Sequence, residues 1–600
     1  MDPDNLLMKQ KLIQIWGLAG DTLFRYPLII TMAVIAAASA VTAIEPGGPE
    51  NSFWVTKLII TSCLGISLLF GAKMLAQRIG KGLVLETAVL VFLTGFYFFL
   101  PAKEKDFTEM YAFILIPTFI LSHLLVSFIP FIRKSKELNF WQYNKNLFIN
   151  LFQTAVFTGV LTGGVMLAIL AVDQLFDLEL DELLYPKTLA VLSITGSCFI
   201  FLLFNGRGLS QLERDDKYPQ ILKFFTQYVL IPLLFIYVII LYFYSAKILI
   251  NWELPRGWVS YLIIAYSVIG IFALLLVFPL KEDGKKSWVK GFSRAFYYTL
   301  APLIILLFTA VFTRILEYGY TEPRYYVLLI AVWLTIVVIY YIIFKNGSIR
   351  FIPVSLFTLG LFSLVLPYFN ALAVSKRSQQ NELTGLLATN NLLVNGKIDF
   401  SKKIPSKTVS EIADKFNFLY QRGDRTLLYH FMDKSQLSSL ERSEENQPFR
   451  NINGTVSGFF KNVAPEISTD KRREIYSPVK AYSTEGYQYV VKLNSFENHR
   501  EDNSLSVNGD RINFSNSQDR KNQILELQVN GDETFDLLPF IKNKIAQYPA
   551  QTERIAVGEI STIADFKKYQ IKVIFLNLSC DGANPNRYYF TDAFMLIKVK

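Results

Sequence analysis

The chain has 600 residues, 60 Lys and Arg against 50 Asp and Glu, a formal net charge of +10 and 52% hydrophobic residues. That length exceeds one ordinary domain, so at least two folding units are expected. The basic balance does not indicate nucleic acid. The bases of the first part sit in alternate loops, those of the last part are mixed with almost as many acids, and no aromatic-and-basic cluster suited to stacking bases occurs.

The opening stretch, MDPDNLLMKQKLIQIWGLAGDTLFRYP, is too long and too polar for the basic start of a cleavable signal peptide, so the first apolar run is expected to be retained. Residues 1–26 are read as a cytoplasmic N-terminal segment. Leu6, Leu7, Ile13, Ile15 and Trp16 fit a short interfacial helix, and an ordinary cytoplasmic lead fits equally well. Eleven apolar runs follow, at 27–45, 54–74, 83–101, 110–131, 148–172, 186–205, 224–245, 258–280, 296–314, 325–344 and 351–369. Runs of about 20 residues suit helices that cross a bilayer core about 30 Å thick. Residues 27–370 are therefore predicted to form an α-helical polytopic membrane bundle.

The loops between the runs set its orientation. One alternate set holds Lys9, Lys11, Arg25, Lys73, Arg78, Lys81, Arg133, Lys134, Lys136, Lys145, Arg207, Arg214, Lys217, Lys223, Lys281, Lys285, Lys286, Lys290, Arg294, Lys345 and Arg350. The other holds only Lys57, Lys103, Lys105, Lys187, Lys247, Arg256, Arg314 and Arg324. The richer side is placed in the cytoplasm with the N-terminus. An odd number of spans then delivers the C-terminal region outside.

Residues 371–400 are expected to form a juxtamembrane helix and linker. Lys376 and Arg377 would lie at the outer headgroups, with Leu372, Leu383, Leu386 and Leu387 facing apolar surface. Residues 401–600 are predicted to be an extracytoplasmic α+β domain, β-rich, with its helices mainly in the first third. In SKTVSEIADKFNFLYQRG, Thr408 and Glu411 fit a capping box. Val409, Ile412, Ala413, Phe416 and Leu419 make one apolar face, and Gly423 is placed to end the helix. SLSVNGDRINF reads as a hairpin turning at Asn508-Gly509. ILELQVNGDETF, a short helix around LLPFIKNKIAQY, KKYQIKVIFLNL and the terminal DAFMLIKVK complete the domain. Cys63 and Cys198 fall in predicted spans and Cys580 is alone in the tail, so the tail must rely on its own core.

Three segments, taken in order, resemble a known group of sequences. FWQYNKNLFINLFQTAVFTGVLTGGVMLAILAVDQLF, KYPQILKFFTQYVLIPLLFIYVIILYFYSAKILINWELPRGWVSYL and NALAVSKRSQQNELTGLL are similar to the bacterial membrane proteins grouped as domain of unknown function 4153. The likeness covers most of the membrane half and the junction and is weaker over the β-rich tail. It implies a bacterial cell-envelope protein of the Bacteroidetes type, and the multi-pass chain is expected in the bacterial cytoplasmic (inner) membrane. It implies no reaction, because the family supplies no catalytic motif to carry over.

Chemistry is sparse. His123, His430 and His499 are far apart and none belongs to HExxH, and no phosphate loop, GxSxG elbow or CxxC pair occurs. His123 falls mid-span, where a polar group is costly unless paired, and is read as an interhelical hydrogen-bonding residue beside a functional reading. Gly159, Gly163 and Gly164 are read as close helix-packing positions rather than a substrate path.

The outer rim gathers Asp173, Asp177, Glu179, Asp181 and Glu182 after span five, Glu253 and Arg256 between Trp252 and Trp258, and Glu45 and Glu50 in the first outer loop. The candidate outer-face site is Glu45, Asp173, Asp177, Glu253 and Arg256. Such carboxylates suit a metal or a base acting on a lipid-linked donor. Acidic loops and interfacial tryptophans explain the same residues without chemistry. No metal or cofactor is assigned. The expected partners are membrane lipids and, at the outer domain, an envelope protein or lipid-linked ligand.

Two functions stand side by side. One is a non-enzymatic sensing, scaffold or transport-type envelope protein with an outer binding domain. The other is a membrane transferase using a polyprenyl-type donor, against which the short first outer loop counts.

Overall fold

The computed structural model describes residues 17–45, 53–132, 136–178, 180–214, 218–251, 258–281, 287–344, 347–423, 425–446, 452–464, 473–478, 483–493, 504–518, 523–548, 552–580, 588–590 and 593–600. The chain divides into two compact units, Met1–Ala464 and Pro465–Lys600. The boundary drawn at 401 from the sequence falls inside the first unit. The predicted interfacial segment around Leu6 and Trp16 lies outside the described residues.

Among the described residues, ten long apolar helices reproduce the first ten predicted runs in order. They are α1 (Pro27–Ile44), α2 (Phe53–Ile79), α3 (Gly82–Phe99), α4 (Ala112–Phe128), α5 (Glu137–Phe176) and α6 (Leu184–Phe204). α7 (Gln220–Asn251), α8 (Trp258–Val277), α9 (Ser287–Tyr318) and α10 (Glu322–Ile343) follow. A helix satisfies its own backbone groups, which is why apolar runs of this length take that form. α6 and α7 each carry a π-helical stretch, Leu192–Gly196 and Phe225–Leu230. α5 has 40 residues and starts well before the predicted 148, because Glu137, Trp141 and Asn144 find partners on neighbouring helices.

The eleventh run departs from expectation. α11 (Phe351–Val365) has only 15 residues, a rise of about 22 Å. It stops because Leu366 precedes Pro367 and is extended, with φ −67° and ψ 116°. The chain still traverses the bundle. At the start of α11, Arg350 ion-pairs with Glu137 and donates to Phe131 O just past α4. At the other end, Phe369 O accepts from Tyr325 OH (2.7 Å), next to Tyr326, whose OH reaches Phe113 O in the first turn of α4. Residues 350–369 thus run antiparallel to α4 between the same two levels.

Further polar and aromatic contacts mark the same two ends. One end pairs Lys73 with Glu86, Arg78 with Glu213, Tyr26 OH with Asn205 O and Trp141 with Leu275 O. The opposite end pairs Glu45 with Lys187, packs Phe107 at a tilt against Phe53 and stacks it on Tyr111.

Beyond α11 the first unit continues as a small helical layer. α12 (Ala371–Thr389) opens with Asn370 accepting from Ala373 N (2.8 Å). β1 (Leu393–Val394) and β2 (Lys397–Ile398) form a hairpin turning at Asn395-Gly396, both at positive φ. β3 (Ile404–Pro405) leads into α13 (Ser406–Gln421), followed by α14 (Arg425–His430), α15 (Lys434–Asn446), α16 (Asn453–Phe459) and β4 (Val463–Ala464), which pairs parallel to β3.

The predicted apolar face of α13 is buried, and Gly423 follows at φ +73°. The expected capping box is not formed: Pro405, held in β3, is the N-cap, so Thr408 and Glu411 lie inside the helix. Leu383 and Leu387 pack with Ile412, Phe416 and Leu419 rather than facing a membrane surface. The amphipathic face of α13 is the larger apolar surface on offer, and the leucines close over it.

The second unit is strand-rich. β5 (Arg473–Tyr476), β6 (Tyr489–Leu493), β7 (Ser504–Val507), β8 (Asp510–Gln518), β9 (Gln523–Val529) and β10 (Glu533–Asp536) precede α17 (Leu538–Gln547). β11 (Thr552–Arg554), β12 (Ser561–Asp565), β13 (Tyr569–Phe575), β14 (Asn577–Cys580), β15 (Tyr588–Phe590) and β16 (Ala593–Val599) complete it. Three four-stranded sheets result, ordered β10-β9-β8-β7, β11-β5-β14-β15 and β12-β13-β16-β6. Both predicted Asn-Gly turns form, with φ 50° and 87° at Asn508-Gly509 and 54° and 80° at Asn530-Gly531. KKYQIKVIFLNL splits into β13 and β14, which serve different sheets. Ile512, Leu527, Ile571, Val573 and Ile597 line the shared core.

Candidate functional site

A dense long-range polar cluster of the first unit lies at the turn EYGYTEP between α9 and α10. Gly319 sits at φ +75°, and a Cβ there would come within 2.9 Å of Ser378, Gln379 and Glu382 on α12, so only glycine fits. Gln379 Nε2 donates to Tyr318 O and Tyr320 O (both 2.9 Å), and Tyr320 N donates to Ser378 Oγ (2.9 Å). α12 therefore clasps the turn by its backbone. One helical turn before Gln379, the buried hydroxyl of Ser375 has no hydrogen-bond partner among the described residues.

Beside the clasp, Arg422 binds Glu322 in bidentate fashion, Nε to Oε1 at 2.6 Å and Nη2 to Oε2 at 2.8 Å. Their side chains are 7% and 0% exposed. Glu322 occupies the first turn of α10 and Arg422 the C-cap of α13, so each charge stands at the helix end whose dipole favours it. The guanidinium also lies 3.5 Å from the centre of the Phe418 ring and donates to Phe418 O. Lys415 Nζ reaches Gln379 Oε1 (3.3 Å) and stands 4.0 Å from Glu382. Burial pushes the Lys415 amine below its ordinary pKa, partly offset by the nearby carboxylates. The arrangement fastens the helical layer to α9 and α10.

A second polar hub lies at the opposite end, on the first turns of α5. Trp141 Nε1 donates to Leu275 O, Tyr143 OH to Val126 O, Asn144 Nδ2 to Ser127 O, Asn146 Nδ2 to Leu212 O and Asn150 Nδ2 to Phe204 O. These carbonyls belong to the ends of α8, α4 and α6 and to the loop after α6, where helices leave acceptors unpaired. WQYNKN is thus a row of side-chain caps that collects the helix ends.

The predicted outer-face residues do not assemble into one centre among the described residues. Glu45 pairs with Lys187 (2.6 Å), which also approaches Asp181 (4.0 Å). Asp173 Oδ1 accepts from Leu180 N (2.9 Å), and Asp177 is the left-handed C-cap of α5 with φ 47°. Each carboxylate there either closes a local turn or balances one lysine. Glu50, Glu179, Glu253 and Arg256 lie outside the described residues. No group of three or more His, Cys, Asp or Glu suited to a metal occurs among the described residues.

Two further expectations are corrected. His123 is exposed on α4 and donates from Nδ1 to Phe119 O (2.8 Å) of its own helix, not across to another. Gly159, Gly163 and Gly164 face open space, because α5 packs there through Thr154, Thr158 and Thr162 instead. The sequence did not single out Gly319, Gln379, Glu322 or Arg422. Thr321-Glu322-Pro323 after a glycine is a helix-start signal that marks half of this junction.

Comparison with known proteins bears on the whole helical part. The family model "Domain of unknown function (DUF4153)" matches residues 28–400. An uncharacterized protein of Pasteurella multocida (strain Pm70) is 26% identical over 386 residues, 62% of this chain and 61% of that protein. The match therefore spans less than two thirds of the relative's length. No solved structure matches. The matched family region runs from α1 through the turn clasped by α12 and into the helical layer, and on that extent the chain belongs to the family described as Domain of unknown function (DUF4153).

Proposed function

We propose that this protein is a non-enzymatic coupling protein of the bacterial cytoplasmic membrane. Its N-terminus is cytoplasmic, residues 371–600 lie outside, and the outer part binds an envelope component whose state is passed to the helices. The observation that carries this reading is the buried Arg422–Glu322 pair, which ties the helical layer to the first turn of α10. A flexible tether would serve a domain that merely hangs from the membrane. A buried, bidentate pair with a backbone clasp beside it transmits displacement instead.

The orientation rests on the excess of basic residues at the end of the bundle that carries the α5 hub. The transferase reading has no comparable support, since Glu45, Asp173 and Asp177 are engaged in local structure. The test is complementation of the envelope defect of a deletion strain. Glu45→Gln, Asp173→Asn, Asp177→Asn and Glu253→Gln should each rescue, whereas Arg422→Met should fail at normal membrane level. A normally expressed amide variant that behaves like the deletion would overturn the reading in favour of catalysis.

A further inference from the structure

α2 begins with FWVTKLIITS, and its residues Lys57, Thr61 and Gly65 share one face at helical spacing. That face lies between α1 and α3, because a Cβ on Gly65 would meet Leu93 at 3.0 Å and Met32 at 3.2 Å. Two largely buried polar side chains lie on it without hydrogen-bond or ion-pair partners among the described residues. Lys57 is 7% exposed, and among the described residues no carboxylate lies within ion-pair distance. Its contact is the Tyr97 ring, 4.4 Å from Nζ to the centroid. Thr61, one turn deeper, is 8% exposed and its hydroxyl has no hydrogen-bond partner among the described residues. Other threonines of the bundle, such as Thr94, Thr118 and Thr154, donate to the carbonyl four residues back. Thr61 does not.

A ring face attracts an ammonium far less than burial without a counter-charge costs it. The amine and the hydroxyl, both in the N-terminal part of α2, favour a negative group at that place. The surroundings fix its level. Trp54, Phe98 and Phe99 are exposed around it, as an aromatic belt at the headgroup level would be. Phe53 packs at a tilt against Phe107, which stacks on Tyr111, next to the turn that Tyr326 reaches at Phe113. This is the end of the bundle that carries the clasped turn at Gly319.

We infer that Lys57 and Thr61 bind the phosphate of an anionic phospholipid headgroup between α1, α2 and α3. Lys57 supplies the charge, Thr61 a hydroxyl donor, and the exposed aromatic side chains pack against the acyl chains. A lipid is favoured over a free phosphate ion because Trp54, Phe98 and Phe99 are exposed beside these residues. The function proposed above does not depend on this site.

The test uses the full chain in detergent and follows its thermal midpoint as phosphatidylglycerol, phosphatidylcholine or inorganic phosphate is added. Phosphatidylglycerol should raise the midpoint saturably, and the other two should not. Lys57→Met and Lys57→Gln should each weaken the apparent Kd for phosphatidylglycerol by about tenfold or more, and Thr61→Val by about two- to fivefold. Lys57→Arg should stay within about threefold of the parent. Without lipid the Lys57→Met protein should be at least as stable as the parent, since it no longer buries an unpaired charge. Equal affinity in Lys57→Met and the parent, or loss in Lys57→Arg as large as in Lys57→Gln, would overturn the site. An equal rise with inorganic phosphate alone would overturn the lipid as its occupant.

Discussion

Substituting Arg422→Met tests the junction most sharply. The two hydrogen bonds of the Arg422–Glu322 pair are 2.6 and 2.8 Å long, and neither side chain is more than 7% exposed. Solvent therefore screens the pair little. Methionine keeps much of the packing against Phe418 but leaves the Glu322 carboxylate buried and unpaired, which costs about 3–5 kcal/mol. Adding Glu322→Gln removes that charge and leaves only a buried amide, costing about 1–3 kcal/mol. The double variant should accordingly be more stable than Arg422→Met alone.

The assay is limited chymotrypsin digestion, with fragments mapped to residues 390–464. Cleavage there samples the opened layer when opening and closing are fast. At tenfold per about 1.4 kcal/mol, the single variant should be cut about a hundred to several thousand times faster, and the double variant more slowly than the single. Parent-like cleavage of Arg422→Met, or a double variant cut as fast as the single, would refute the reasoning.

Gly319→Ala should loosen the same clasp by about 1–3 kcal/mol, through its positive φ and the crowding against Gln379, and should raise cleavage in the same fragments. Thr158→Val should stabilise the helical region by roughly 1 kcal/mol, because the Thr158 hydroxyl is buried without a partner, and heating in detergent with size-exclusion readout should show it. In the second unit, hydrogen bonds from Asn530, Lys568 and Tyr569 hold the Asp510 carboxyl below its ordinary pKa. Stability from a depressed carboxyl is fully present above the unfolded value of about 4 and is lost as pH falls through the lower folded value. Asp510→Asn should therefore flatten the acid-side loss of amide protection at Ile512 and Phe514, measured by hydrogen exchange.

The parts of the fold that follow local rules were legible. The apolar face of α13 reads directly from Val409, Ile412 and Phe416, and the turns at 508–509 and 530–531 need only Asn-Gly. The same signal at Asn395-Gly396 was available and marks the β1–β2 hairpin. Helix faces were harder, because an apolar helix in a membrane can turn any face inward. Gly159 and Gly163 therefore suggested packing that Thr154, Thr158 and Thr162 provide. Leu383 and Leu387 suggested a membrane surface where the core of the helical layer lies. The junction was least legible: Glu322 and Arg422 are 100 residues apart, and no local pattern joins them. The candidate carboxylates were chosen for their loop positions, and two of them serve those loops, Asp173 by accepting from Leu180 N and Asp177 by capping α5.

The most direct test of the account is which side of the membrane carries the helical layer. Alkaline phosphatase, active only outside the cytoplasm, would be fused after Leu387 in α12 and, separately, after Lys286 just before α9. The account predicts an active enzyme at Leu387 and an inactive one at Lys286. The reverse pattern would contradict the orientation and the outer binding role together, and activity at neither position or at both would contradict the odd number of crossings.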